Sequence, residues 1–173
     1  MNSAITFFQH ILNILYMEFS PIGVIHTPHT DPKGTPIQPI GAVGIEGVIE
    51  LKEEYVEALQ DLDGFSHIIL LYVFHRSTGY SLKVTPYLET QQRGLFATRY
   101  PARPNPIGLS VVRLSGIKNN MVYVLDVDML DGTPLLDIKP FIPEADNREN
   151  TRIGWLANRV TRMKKAKSDG RSD

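Results

Sequence analysis

Residues 97–110 read ATRYPARPNPIGLS, with Pro101, Pro104 and Pro106 inside six positions and apolar, strand-like sequence on either side. Proline fixes φ and removes an amide donor, so this stretch is a stiff loop rather than part of a helix or a central strand. Tyr100, Arg103 and Asn105 each precede a proline and are held extended. The fold must therefore carry a rigid loop, bearing Arg99 and Arg103, in the middle of its sheet. Such a loop loses little entropy when it binds something. Two readings stand. It is a turn whose arginines make surface pairs. Or it is a preformed pocket wall, with guanidinium groups offered to a carboxylate, a phosphate or a ring edge and Asn105 able to donate and accept.

The rest of the chain reads mainly as short strands. PIGVI at 21–25 is extended in character, AVGIEGVIEL at 42–51 is a glycine-loosened strand, and HIILLYVFH at 67–75 is an apolar run of the kind found in a buried central strand. Gly94–Thr98, Ile107–Leu114 and Met121–Val127 continue the pattern, and Asn119-Asn120 is a hairpin turn between the last two. DGTPLLDIKP at 131–140 opens on Asp-Gly and Thr-Pro turn signals. Tyr55, Val56, Leu59 and Leu62 have helical spacing, which predicts one short helix ending near Asp63-Gly64. Ile153, Leu156 and Val160, with Trp155 beside them, predict another, followed by a charged, frayed tail. With few helices against many strands, the expected fold is mainly β, a small closed barrel with a few short helices. No βαβ alternation is present, which argues against a Rossmann-type site.

The domain expectation is a 1–16 extension, a barrel over 17–150 and a C-terminal helix with a charged tail over 151–173. Residues 1–16 are apolar and lack Lys and Arg, so they match no secretory signal and are shorter than a bilayer span. They read either as a short amphipathic helix or as an extension upstream of a start at Met17. A hydrophobic share of 42% supports an ordinary core, and the absence of cysteine excludes disulfides and thiolate chemistry and suits a cytoplasmic setting without a membrane. The formal net charge of −1 requires any polyanion to meet a local patch. Arg152, Arg159, Arg162, Lys164, Lys165 and Lys167 supply one, or else a solvated helix face. The histidines show no metal-ligand spacing, so no metal is expected. Asp137 and Lys139, two apart, share a strand face as an ion pair or as pocket wall.

Four ordered motifs together carry a resemblance: PIGVIHTP at 21–28, DGFSHIILLYVFH at 63–75, GLFATRYPARPNPIGLS at 94–110 and DGTPLLDIKP at 131–140. They resemble the TsaA-like (TrmO) family, S-adenosylmethionine-dependent tRNA adenine-N6 methyltransferases, from about Phe19 to Pro143. The resemblance implies a small dimeric β-barrel that binds S-adenosylmethionine without a Rossmann sheet. It also implies methylation of N6 of threonylcarbamoyladenosine beside the anticodon. Carried over motif by motif, the cofactor positions are Gln38, Pro39, Ile40, Gly41, His75, Arg76, Arg99, Leu109, Asp131, Gly132, Thr133 and Pro134. Ile40 stands where members often have Gly, and Tyr100 where Ser or a similar residue is common. Larger relatives carry a further C-terminal domain absent from this sequence.

On that reading Asp131 accepts from the ribose or amino group, and Arg99 meets the carboxylate or stacks on a ring. His75, Asp137 and Asn105 are the candidates to assist the N6 proton. Two rival functions use the same motifs: a non-catalytic S-adenosylmethionine-binding module, and a methyltransferase for a small molecule.

Overall fold

The computed structural model describes residues 18–171, so the 1–16 extension lies outside the described residues. It has eight strands: β1 Gly23–His26, β2 Glu46–Leu51, β3 His67–Val73, β4 Lys83–Val84, β5 Arg93–Gly94, β6 Ile107–Lys118, β7 Met121–Leu125 and β8 Thr133–Pro140. Six of them close into an antiparallel barrel in the order β1-β2-β7-β6-β3-β8, while β4 and β5 form a separate ribbon. This is the expected mainly β closed barrel. Asn119 takes φ 55° in the tight β6–β7 turn, as the Asn-Asn pair predicts.

Strand alternation builds the core. Ile68, Leu70 and Tyr72 of β3 point inward and pair with Val112, Ser110 and Gly108 of β6. Ile25, Ile49, Val122, Val124 and Leu135 complete a fully buried apolar interior. At one end of the interior the pattern turns polar, with Tyr72 and Ser110 in place of aliphatic groups. Gly108 is required there. A Cβ on it would lie 2.2 Å from the Tyr72 ring, so only glycine lets that ring lie across β6.

The connections explain where a site can form. In an antiparallel barrel, the links β1–β2, β3–β6 and β7–β8 all leave from the same end. Those links span residues 27–45, 74–106 and 126–132, and the first two are the longest in the barrel. The β3–β6 link contains the ribbon and the proline loop. The β7–β8 link is pinned by Arg113, whose Nε and Nη2 donate to Asp126 at 2.6 and 2.7 Å. The other Asp126 commitment is its Oδ1, which accepts the Gly44 amide at 2.7 Å. This ties together two of the three links.

Several sequence expectations are corrected. The helix predicted over 52–62 is two 3-10 segments, Glu53–Leu59 and Leu62–Gly64, interrupted by Asp61 at φ 64°. Its buried residues, Leu59 and Leu62, close the first segment and open the second, on either side of that break. The 67–75 run ends as a strand at Val73 and alternates in burial instead of being covered on both faces. After Gly94 the chain turns into a 3-10 segment, Leu95–Ala97, because only Leu95 has a buried position to fill. DGTP is a turn, with Gly132 at φ 74°, but the remainder of 131–140 is strand β8.

The C-terminal correction matters most. In place of a helix there are 3-10 segments at Gly154–Leu156 and Val160–Lys165. The sequence after them is docked, not frayed. Ser168 exchanges backbone bonds with Gly34 and Thr35, at 2.8 Å each, and Lys167 bridges to Pro36. One short α-helix, α1 Pro143–Asp146, precedes this strap. Among the described residues no helix is long and apolar enough to cross a membrane.

Candidate ligand cavity at the open end of the barrel

The three same-end links and the C-terminal strap enclose a cavity of about 830 Å³. This is the size of sites that bury a nucleoside-scale ligand. Tyr72 and Gly108 form part of its floor, the top of the barrel interior. The proline loop contributes Arg99, Tyr100, Pro101 and Arg103 to one wall, and the strap contributes Trp155, Leu156, Val160 and Met163 to another.

Of the sequence-predicted residues, Gln38, His75, Arg76, Arg99, Leu109 and Thr133 line this cavity together. Segments from four parts of the chain converge there. Arg99 Nη1 donates to Gln38 Oε1 at 2.7 Å, joining the Gln-Pro segment to the proline loop. Arg76 donates to the Thr30 carbonyl at 2.9 Å. Thr133 Oγ1 lies 3.4 Å from His75 Nδ1 and donates to the Leu130 carbonyl at 2.7 Å. Partial burial, then the Arg76 guanidinium, pushes the His75 imidazole below its ordinary value.

Other predicted positions flank the cavity without lining it. Pro39–Gly41 form a 3-10 turn beside it, with Gly41 packed on the Met163 carbonyl. Asp131 accepts the Thr27 amide at 3.1 Å and sits 3.5 Å from His26 Nδ1. The Thr27 bond chiefly holds its carboxyl below the usual range. Gly132 and Pro134 shape the turn into β8. Asn105 is exposed at the tip of the proline loop. Asp137 pairs with Lys139 at 2.7 Å, away from the cavity lining, which realises the ion-pair reading of those two residues. Arg103 faces inward to its own loop. Its guanidinium donates to the Thr98 and Tyr100 carbonyls and lies 5.7 Å from the Phe96 ring centre, so it clamps the loop that the prolines stiffen.

Sequence reasoning missed a polar cluster and a staple. The cluster is Tyr72 OH, 3.1 Å from Ser110 Oγ, which donates at 2.6 Å to Asp128 Oδ1. Burial pushes the Asp128 carboxyl up to about 7, with the Ser110 bond pulling the other way. The Tyr72 phenol rises well above its ordinary value through burial and the neighbouring Asp128. The visible signal was Ser110, one polar residue on the inward row of an otherwise apolar strand. The staple is Glu89, buried and bonded to Arg93 at 2.5 Å and to Arg159 of the strap at 3.2 Å. Arg93 chiefly, with the Thr90 amide, holds Glu89 down to about 2. Beside it Trp155 Nε1 donates to the Ala97 carbonyl at 2.8 Å, under the Arg93 guanidinium. No group of three or more potential metal ligands occurs among the described residues.

A closed barrel that holds an apolar cavity with a few fixed charges at one rim defines a small-molecule-binding barrel, built without a dinucleotide fold. Residues 24–147 match the family model described as the tRNA-methyltransferase O N-terminal domain, and the chain belongs to that family. A probable S-adenosyl-L-methionine-binding protein of Pyrococcus abyssi is 56% identical over 153 residues, covering 88% of this chain and 83% of that protein. The mouse tRNA (adenine(37)-N6)-methyltransferase is 36% identical over 140 residues, covering 77% of this chain but 32% of the mouse protein. A crystal structure of TrmO from Pseudomonas aeruginosa superposes with a TM-score of 0.69 at 39% identity, over 81% of this chain and 62% of that one.

Proposed function

We propose that this protein is an S-adenosylmethionine-dependent tRNA methyltransferase, and that its target is N6 of threonylcarbamoyladenosine next to the anticodon. The observation that carries this reading is the convergence of Gln38, His75, Arg76, Arg99, Leu109 and Thr133, from separate motifs, on one cavity. Their chemistry fits the cofactor. Arg76 and Arg99 are donors for a carboxylate, Thr133 and Gln38 are hydrogen-bonding groups for a ribose or base, and Leu109, Met129 and Leu130 give apolar walls.

Bound there, S-adenosylmethionine supplies an electrophilic methyl group. The protein holds the acceptor nitrogen in line with it and excludes water, and orientation of this kind contributes effective molarities of order 10⁵ M or more. Proline stiffening of residues 101–106, with the Arg103 clamp, keeps Arg99 and Leu109 in place before either substrate arrives. As N6 gains the methyl it gives up a proton. His75, at the rim with its basicity lowered, is placed better to accept it than the paired Asp137 or the exposed Asn105. Asp131 and Gly132 act by setting the turn that presents Thr133.

Partners follow from the surface. Phe96 is 77% exposed and Ile107, Leu109 and Ile153 are about half exposed around the cavity mouth, an apolar face suited to a second copy in a homodimer. The strap offers Lys164, Lys165 and Lys167 to tRNA phosphates, compensating for a net charge of −1. A cytoplasmic setting goes with a tRNA substrate.

The test is transfer of labelled methyl from S-adenosylmethionine to two tRNA pools, one with threonylcarbamoyladenosine and one without. Label in the first pool alone is the expected outcome. Label in neither, with cofactor binding intact, supports a binding module or a small-molecule enzyme.

A further inference from the structure

Among the described residues, Asp128 is the single acidic side chain lining the cavity; the charged groups around it are Arg76, Arg99 and Arg103. Its Oδ1 is fixed by Ser110, which is fixed in turn by Tyr72, and its Oδ2 takes no hydrogen bond from another described residue. Asp128 follows the buried Val127 and precedes the buried Met129, so its backbone is held on both sides. A carboxylate at the floor of an apolar cavity is costly to ionise, and since burial outweighs the nearby Arg99 charge here, it gains from a further cation brought to face it. The guanidinium groups that would hold the amino-acid carboxylate of a cofactor are Arg76, just after β3, and Arg99 on the proline loop, whose charge also reaches Asp128. The floor is lined by Tyr72, Gly108 and Met129, with few acceptors for an ammonium that needs three. It suits a cation that carries no N–H.

We propose that Asp128 is the counter-ion of the cofactor's methylsulfonium and makes the cavity select S-adenosylmethionine over its uncharged-sulfur product, S-adenosylhomocysteine. Ser110 and Tyr72 are positioning residues for that carboxylate. This role rests on the proposed occupancy of the cavity by S-adenosylmethionine. It adds that charge recognition, beyond shape, drives product release. Methyl transfer turns the sulfonium into a thioether, so the attraction to Asp128 disappears in the same step that completes the reaction.

The raised Asp128 pKa supports this and gives a second readout. Cation binding favours the ionised carboxylate, so affinity for S-adenosylmethionine rises as pH rises toward and through about 7, the value of Asp128. The other groups facing the floor are Ser110 of β6, Tyr72 of β3 and Arg99 of the proline loop. His75, farther up at the end of β3, does titrate at lower pH, and an H75Q variant separates its contribution.

The experiment is calorimetric titration of the full chain with each of the two ligands from pH 5.5 to 8.5, for wild type, D128N and S110A. Asn is isosteric and can still accept from Ser110, so D128N folds. At pH 8 we expect D128N to weaken S-adenosylmethionine binding by about 10- to 100-fold, the range for losing a charged partner. Binding of S-adenosylhomocysteine should move by less than about threefold, and the pH slope for S-adenosylmethionine should flatten. S110A should shift the wild-type midpoint to higher pH. Equal loss for both ligands, or no loss for either, overturns the proposal. If R99A binds S-adenosylmethionine as wild type does, the cavity itself is misassigned, and that failure is distinguishable from failure of the Asp128 role.

Discussion

At the scale of single residues, the site depends on one missing side chain and one half-buried carboxyl. Gly108 lets the Tyr72 ring lie across β6, and Gly108→Ala brings a methyl to within 2.2 Å of that ring. Because the ring is walled in by Phe74 at 5.4 Å and bonded to Ser110, it cannot move without breaking the cluster. The expected cost is about 1–3 kcal/mol of stability, the usual range for overpacking, with loss of ligand affinity. Urea unfolding and calorimetry on the same sample check both. Asp128 predicts the opposite kind of effect. Its folded-state acidity is weaker than that of an unfolded aspartate, so the folded protein holds the proton more tightly. Its contribution to stability is greatest below the unfolded value, near pH 4, and falls as pH rises to about 7, beyond which it is flat. The ligand-free D128N protein should lose that slope in melting temperature against pH and be more stable than wild type at pH 8.

At the scale of elements, the C-terminal strap is the part that the sequence concealed. Its apolar residues Ile153, Leu156 and Val160 have spacing that fits a helix, yet Leu156 and Val160 fall in separate 3-10 segments, with Ile153 just before the first, and all three line the cavity. The strap is held chiefly by Glu89, which bonds Arg93 on its own link and Arg159 on the strap. No local pattern links positions 89 and 159. Trp155 is the protein's one tryptophan and lies between Arg93 and the Ala97 carbonyl, so its fluorescence reports docking. Glu89 is depressed to about 2, so its contribution is complete above the unfolded carboxylate range and is lost as pH falls from about 4.5 toward 2. Wild-type Trp155 emission should shift red only in that acid window. E89Q should show the shifted emission at pH 7, together with faster proteolytic cleavage after Arg159 or Arg162. An unshifted E89Q spectrum would mean the strap is held by its other contacts, the backbone bonds to Gly34 and Thr35 and the Trp155 bond to Ala97 among them.

At the scale of the whole molecule, the barrel was legible and its fine geometry was not. The strand character of 67–73 and 107–114, the Asn119 turn and the proline punctuation of 101–106 each follow from local chemistry, and the absence of βαβ units pointed away from a parallel sheet, whereas the alternating burial of 67–73 did not show in its unbroken apolar run. What sequence could not reveal is which strand ends share a rim. Asp128 comes beside Tyr72 and Ser110 only because β3 and β6 pair in one register and the β7–β8 link folds over their ends. The same geometry bears on assembly. If the apolar mouth is where two copies meet, Phe96→Glu should convert a dimer to a monomer by light scattering at micromolar concentration while leaving the melting temperature of each barrel nearly unchanged. If the strap's lysines meet tRNA, replacing Lys164, Lys165 and Lys167 with Ala should lower the slope of log affinity against log salt by up to about 2.7, near 0.9 for each duplex phosphate no longer neutralised. Filter binding across a salt series measures it.

Closure of the barrel also sets a schedule. β1 is paired on one side with β2, close in sequence, and on the other with β8, which begins at Thr133. During synthesis at about 5–20 residues per second, β1 leaves the ribosome with one edge bare and keeps it bare for on the order of ten seconds. An open edge of Val and Ile is a template for another chain's strand. The interval between making the first strand and making the one that seals it is therefore when this small protein is most exposed to misassembly. Codon changes that slow translation between those two strands should lower its soluble yield without altering the finished fold.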